Sequence, residues 1–187
     1  DLFNYITGFG KPTRFRKLLV APFTLRSGLQ EEIRAVAAAA AEGEHARIRL
    51  KMNHLVDPRL VEELYSASQA GAQIDVVART TCALRPGVEG LSENIRVRSV
   101  VGRFLEHSRI FYFRNNLRHD VYLSSADWMN RNLMRRIEVA FPVNSPALKK
   151  RLLREGLQPY LKDNVSAWEL GSDGQYRRRK LRSGQKP

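Results

Sequence analysis

Cysteine is nearly absent. Cys82 is the single one in 187 residues, which excludes an internal disulfide and any cysteine-cluster zinc site. A reducing cytoplasm is the default expectation, and Cys82 reads better as a small packed side chain near a strand end than as a nucleophile. Long apolar runs are missing too. None approaches the roughly 20 residues that a bilayer-spanning helix needs, and the N-terminus lacks the basic, apolar and small-residue regions of a signal peptide. Acidic residues are scarce beside basic ones, with 19 Asp and Glu against 32 Lys and Arg and a formal charge of +13. There is no initiator Met, and the chain opens mid-pattern with "DLFNYITGFG", so it reads as a piece of something longer. Hydrophobic residues make up 43%, enough for a core, and the length suits one domain.

The positive excess predicts a polyanionic partner: nucleic acid, an acidic membrane, nucleotide or a phosphate polymer. Part of it is a basic tail, "RRRKLRSGQK" at 177–186, which any fold would leave solvated. The arginines at 79, 85, 96, 98, 103 and 109 differ, because they sit among apolar strands.

The chain's punctuation places the elements. "KLLVAP" (17–22) reads as a buried strand. A helix follows from a Ser27 cap to a stop at Gly43. "ARIRLKMN" (46–53) alternates as a strand. "DPRLVEELYSASQAG" is a helix with Asp57 as cap, Pro58 in its first turn and Gly71 at its end. "QIDVVAR" (73–79) is a strand, and 80–94 is a loop marked by Pro86, Gly87 and Gly90. The second half predicts strands over "IRVRSVV", "FLEHSRIFYF", "VYLSSAD" and "RIEVAFPV", then a helix capped by Ser145. The opening strand–helix–strand–helix–strand rhythm argues for an α/β fold with a mixed, mostly parallel sheet flanked by helices. Ligands of such sheets gather outside the carboxyl ends of the strands, where Arg79 falls.

The stretch "RFLEHSRIFYF" (103–113) looks buried yet carries His107 and Arg109. Strand alternation puts those two on one face with Phe111 and Phe113, and Ile110 and Tyr112 on the other. Folding a hairpin about residue 117 sets Phe113 opposite Val121, Arg109 opposite Ser125 and His107 opposite Asp127. His, Arg, Ser and a carboxylate would then converge. Arg gathers phosphate oxygens, imidazole attacks phosphorus or exchanges protons, and the carboxylate orients the ring. A solitary strand histidine is more often a satisfied core residue, and His45, His54 and His119 are read so, or as surface residues. His107 stands apart because of its polar company. In "SADWMNRN", Asn130 or Arg131 is a further candidate for phosphate, with a plain turn as the competing explanation.

"KMNHLVDPRLVEELYSASQAGAQIDVVAR", "ALRPGVEGLSENIRVRSVVGRFLEHSRIFYF" and "YLSSADWMNRNLMRRIEVAFPV" closely resemble the C-terminal region of type 1 polyphosphate kinases. The likeness runs from Asp1 to about Tyr176. It implies a phospholipase D-like half over 18–170, with 1–17 as linker or end of a preceding catalytic domain and 171–187 as a basic tail. It implies reversible transfer of the terminal phosphate of ATP to polyphosphate through a phosphohistidine that lies in the preceding domain. Magnesium is implied as cofactor, with its ligands outside this chain. ATP or ADP, polyphosphate and the preceding domains are the implied partners, with homo-oligomers and membrane association suggested. By the same resemblance His107 contacts nucleotide and assists catalysis, and Arg79 contacts ATP phosphate. Arg109 and Arg85 are weaker phosphate candidates, and Asp127 and Ser125 are candidates for orienting. Thr80 stands where the family usually has Gly, and a side chain there would crowd the phosphate or change the loop backbone.

Two other readings compete. A basic module that grips nucleic acid fits the charge, but Phe104, Phe111, Tyr112 and Phe113 look like core rather than a stacking platform. A phospholipase D-like hydrolase that dimerises would want His-x-Lys and a later Asp. Here those positions hold His107-Ser108-Arg109 and Arg114.

Overall fold

The computed structural model describes residues 2–8 and 15–179. Part of the predicted N-terminal linker, residues 1 and 9–14, and the tail from 180 onward lie outside the described residues. Nine strands form one sheet in the order β1-β7-β6-β5-β2-β3-β4-β8-β9. They are β1 (Leu19–Ala21), β2 (Ala46–Leu55), β3 (Gln73–Cys82), β4 (Ile95–Val100), β5 (Arg109–Asn115), β6 (Arg118–Ser124), β7 (Glu138–Pro142), β8 (Ala167–Leu170) and β9 (Tyr176–Arg178). The helices are α1 (Leu2–Ile6), α2 (Leu25–Ala41), α3 (Pro58–Gln69), α4 (Pro146–Leu152) and α5 (Gln158–Lys162), the last two joined by a π-helical turn over Leu153–Leu157.

The sheet is mixed and flanked by helices, as expected, but its parallel part is limited to β2, β3 and β4. The other six pairings are antiparallel. The strand–helix–strand rhythm misleads at β1, which does not join β2. It crosses to the far side of the sheet and pairs antiparallel with β7.

Leu25, Leu29, Ile33 and Val36 recur at helical spacing on α2, and Leu60, Val61, Leu64 and Ala67 on α3. These stripes are buried against Ile48, Leu50, Met52, Val76, Phe111 and Phe113 of the sheet. Ile110 and Tyr112 point to the opposite face, where Val121, Val143 and Leu157 form a second cluster beneath α4 and its π turn. The alternation read in "RIFYF" therefore holds, because both faces of β5 are covered.

Asp57 caps α3 by accepting from the Leu60 amide at 3.1 Å, and Ser145 caps α4 through the Leu148 amide at 3.4 Å. Gly43 and Gly71 follow their helices with φ of 76° and 104°, which glycine adopts without a Cβ clash. Ser27 is not a cap. The helix begins at Leu25, with Thr24 before it, and the Ser27 hydroxyl donates to the Thr24 carbonyl. The expected loop at 80–94 starts later, since β3 continues through Thr80 and Thr81 to Cys82. Residues 171–178, expected in the tail, form the turn around Gly174 and the strand β9, which pairs antiparallel with β8. Trp128 is fully buried against Phe111 at 5.3 Å between ring centroids, while Trp168 is exposed on β8.

Candidate functional site

A cavity of about 600 Å³ opens where β2, β3 and β6 run out and β5 and β7 begin, and its lining includes Asn53, Arg79, His107, Arg109, Arg131 and Arg136. This is the carboxyl end of the parallel strands, where such sheets place ligands. Arg79 and His107, 28 positions apart in sequence, line the same open space.

Local structure explains the placement. The β2–β3 register shifts between Met52 and His54, a bulge in which the single Asn53 faces two residues of β3, Arg79 and Thr80, and is left without a ladder partner. The freed Asn53 amide donates to Asp127 Oδ1 at 2.7 Å. Its side-chain carbonyl accepts from Arg79 Nε at 2.8 Å. That bond anchors the guanidinium at one edge. The other two nitrogens of Arg79 bond no protein group among the described residues.

Arg109 is buried at the start of β5. Its Nε and Nη2 donate to the two oxygens of Asp127 at 3.1 and 2.9 Å, and its Nη1 donates to the His107 carbonyl at 2.9 Å. Burial by itself would raise the Asp127 carboxyl, but the bonds from Arg109 and the Asn53 amide outweigh it and hold the group below the usual carboxylate range. Arg109 is thus engaged on all three nitrogens and supports the site from below. Asp127 binds Arg109 and Asn53 rather than the imidazole of His107, so the expected tautomer-fixing carboxylate is not there.

The hairpin register differs by one residue from the expected one. Arg109 pairs with Ser124 and Phe113 with Asp120, because Asn116, at φ 53°, makes a tight turn between Asn115 and Arg118. Ser124 accordingly faces Arg109. Ser125 instead donates to a Glu138 carboxylate oxygen, and its own amide donates to the Val139 carbonyl at 3.0 Å. It closes the sheet onto β7. The stretch from 103 to 113 is buried only from Arg109 onward. Residues 101–108 are a loop, with His107 exposed in the cavity mouth and Phe104 exposed beside it.

Other candidates fall elsewhere. Arg85 lies outside the cavity, where its amide donates to the Tyr65 hydroxyl at 2.8 Å. Arg114 sits at the turn end of β5, bonded to the Asn116 carbonyl at 3.0 Å. Thr80 lies within β3 at its register shift against β2, where it has no ladder partner, and it does not line the cavity. Burial pushes the half-buried Cys82 thiol up to about 11, so at neutral pH it stays protonated.

Sequence reasoning did not single out Asn53 or Arg136, and it left Arg131 open. Arg131 opens the π-helical turn Arg131–Arg135, and Arg136 follows it; both are exposed and line the cavity. Among the described residues, Arg79, Arg131 and Arg136 have no carboxylate within ion-pairing distance. Three guanidinium groups therefore remain to attract an anion, and their planar forks match phosphate oxygens. The cavity's two carboxylates are both engaged, Asp127 by Arg109 and Glu138 by Ser125 and Asn132. They do not fit a magnesium-binding set, and among the described residues no three His, Cys, Asp or Glu side chains cluster as a metal site.

The architecture defines a phospholipase D-like domain. NucT from Helicobacter pylori superposes with a TM-score of 0.56 over 73% of this chain and 89% of that one at 12% identity. Nuc from Salmonella typhimurium, a phospholipase D family member, gives 0.53 over 74% and 88% at 16% identity. Likeness at that level is of fold alone.

The chain belongs to the polyphosphate kinase C-terminal domain 2 family, whose model matches residues 18–187. The crystal structure of polyphosphate kinase from Porphyromonas gingivalis matches with a TM-score of 0.92 and 39% identity, covering all of this chain and 28% of that one. Polyphosphate kinases of Paraburkholderia phytofirmans and Neisseria meningitidis serogroup B are 55% and 54% identical over 179 and 175 residues. The chain spans about a quarter, 26%, of those curated relatives. Among the described residues no helix is long and apolar enough to cross a membrane.

Proposed function

We propose that the chain is the C-terminal catalytic-region domain of a polyphosphate kinase, in which the strand-end cavity holds the phosphates of ATP and the growing polymer. The observation that carries this is the meeting of Arg79 and His107 in one open, cationic cavity within a chain of that family. Arg79, steadied by Asn53, clamps a β- or γ-phosphate oxygen. Arg131 and Arg136 add charge along the same wall. His107 donates a hydrogen bond or proton to the bridging oxygen as its bond to the γ-phosphorus breaks. Phosphoryl transfer is chiefly positioning and charge neutralisation, which fixed guanidinium groups supply. Magnesium belongs with the nucleotide phosphates or with parts of the protein outside this chain. The phosphorylated histidine also lies outside it, so the domain is one wall of the active site. Cytoplasmic residence and homo-oligomeric assembly of the full protein belong to the same reading.

The test uses the full-length protein. His107→Ala and Arg79→Ala should each lower ATP consumption in polymer synthesis by ~100-fold, about 3 kcal/mol in the barrier. Near-normal turnover by either variant removes that residue from the mechanism. The 187-residue chain alone should take up no acid-labile, base-stable phosphate, and labelling of it would contradict the one-wall reading.

A further inference from the structure

The loop that carries His107, residues 101–108, has little apolar anchorage. Val101, Phe104 and Leu105 are 60%, 78% and 70% exposed. Polar contacts hold it instead. Lys51, on the central strand β2 and only 4% exposed, donates from Nζ to Glu106 Oε2 at 3.0 Å and to Ser108 Oγ at 2.6 Å. The same ammonium lies 3.9 Å from the centroid of the Tyr160 ring on α5. The Tyr160 side chain hydrogen-bonds the Glu106 carboxylate in turn. His107 is thus bracketed: its two neighbours are tied to one ammonium, and its own carbonyl is tied to Arg109.

A lysine buried in the middle of a nine-stranded sheet is costly unless its charge is compensated. Here a carboxylate, a hydroxyl and a ring face do so. Its register partner on β5 is apolar Ile110, and an apolar residue at 51 would satisfy packing alone. The arrangement makes sense if the loop must be fixed in place.

We infer that Lys51 is a positioning residue for phosphoryl transfer, acting through His107 by locking residues 106–108, with Glu106, Ser108 and Tyr160 as its partners. This rests on the reading of the cavity as the phosphate site. Small displacements of a reacting group cost on the order of 100-fold in rate, so the lock should act on kcat more than on binding.

The test is a cycle in the full-length protein. Lys51→Met should lower kcat ~10- to 100-fold while the KM for ATP stays within about threefold. Lys51→Arg should recover part of the loss. In a His107→Ala background Lys51→Met should cost nothing more, because no imidazole is left to misplace. A wild-type kcat for Lys51→Met, or a loss that multiplies that of His107→Ala, overturns the inference while leaving the cavity reading intact. Normal turnover by His107→Ala overturns both. Should Lys51→Met lose cooperative folding, Ser108→Ala and Glu106→Gln on the outer side of the loop carry the same cycle. Their kcat losses should likewise vanish without His107, and persistence of those losses refutes the inference.

Discussion

Asp127→Ala is the perturbation from which the architecture of the site gives the sharpest expectation. The side chains of Arg109 and Asp127 are 8% and 6% exposed and share two hydrogen bonds at 2.9 and 3.1 Å. Removing the carboxylate strands the Arg109 guanidinium in a place that water reaches poorly, a loss of about 3–5 kcal/mol for a broken buried pair. It also leaves the Asn53 amide without its acceptor, and an orphaned buried donor costs about 1–3 kcal/mol. The two losses overlap in one network, so about 4–5 kcal/mol is expected for the variant. For a chain of this size that corresponds to a Tm lower by roughly 8–20 °C. Urea denaturation of the chain measures it, provided the urea m-value is unchanged. Arg109→Met added to Asp127→Ala should recover part of the loss, because the stranded charge goes too. A single-variant loss below about 1 kcal/mol, or a double variant whose losses simply add, would refute the claim that this pair is a buried support.

Asp127 has a depressed folded-state pKa, so its contribution is fully present above the unfolded value of about 3.9 and is lost as pH falls through the folded value. Glu32 has the opposite sign, since burial raises it, and stability-versus-pH curves of wild type and Asp127→Asn should therefore be compared as a difference, which should shrink as pH falls below about 4. An acid-independent difference would count against the assignment. At Gly156, on the π turn between α4 and α5, an added Cβ would lie 2.4 Å from Ile110 Cδ1. Gly156→Ala should cost about 1–3 kcal/mol by overpacking, and Ile110→Val, which removes that methyl, should relieve it in thermal melts of the double variant; no relief would mean the clash is taken up elsewhere.

Much of the fold could be read from the punctuation of the chain. Asp57-Pro58 and Ser145-Pro146 marked helix starts because each does a local job, a side chain accepting an orphan amide and a ring with no amide to orphan. What escaped was non-local. Nothing in "KLLVAP" says that its strand will pair across the sheet with β7. The two asparagines of "RNNLRHD" permit more than one turn, and choosing the wrong one moved every cross-strand partner by a residue. "GSDGQYRRR" carried an Asp-Gly turn signal, but its arginines read as tail. The site divides in the same way. His107 and Arg79 were visible as polar residues in apolar surroundings, whereas Asn53 and Lys51 looked like the outward half of an alternating strand. Only the topology shows that both faces of β2 are covered, and that polar residues there must be answering other polar groups.

The sheet ends on both sides in strands of three residues, β1 and β9. A strand that short offers a neighbouring molecule few unpaired amides and carbonyls, and on β9 the exposed Arg178, which has no carboxylate partner among the described residues, adds charge at the margin. So broad a sheet would otherwise invite strand-to-strand aggregation. Trimmed and charged at its margins, it is protected from growing into a ribbon by strand addition.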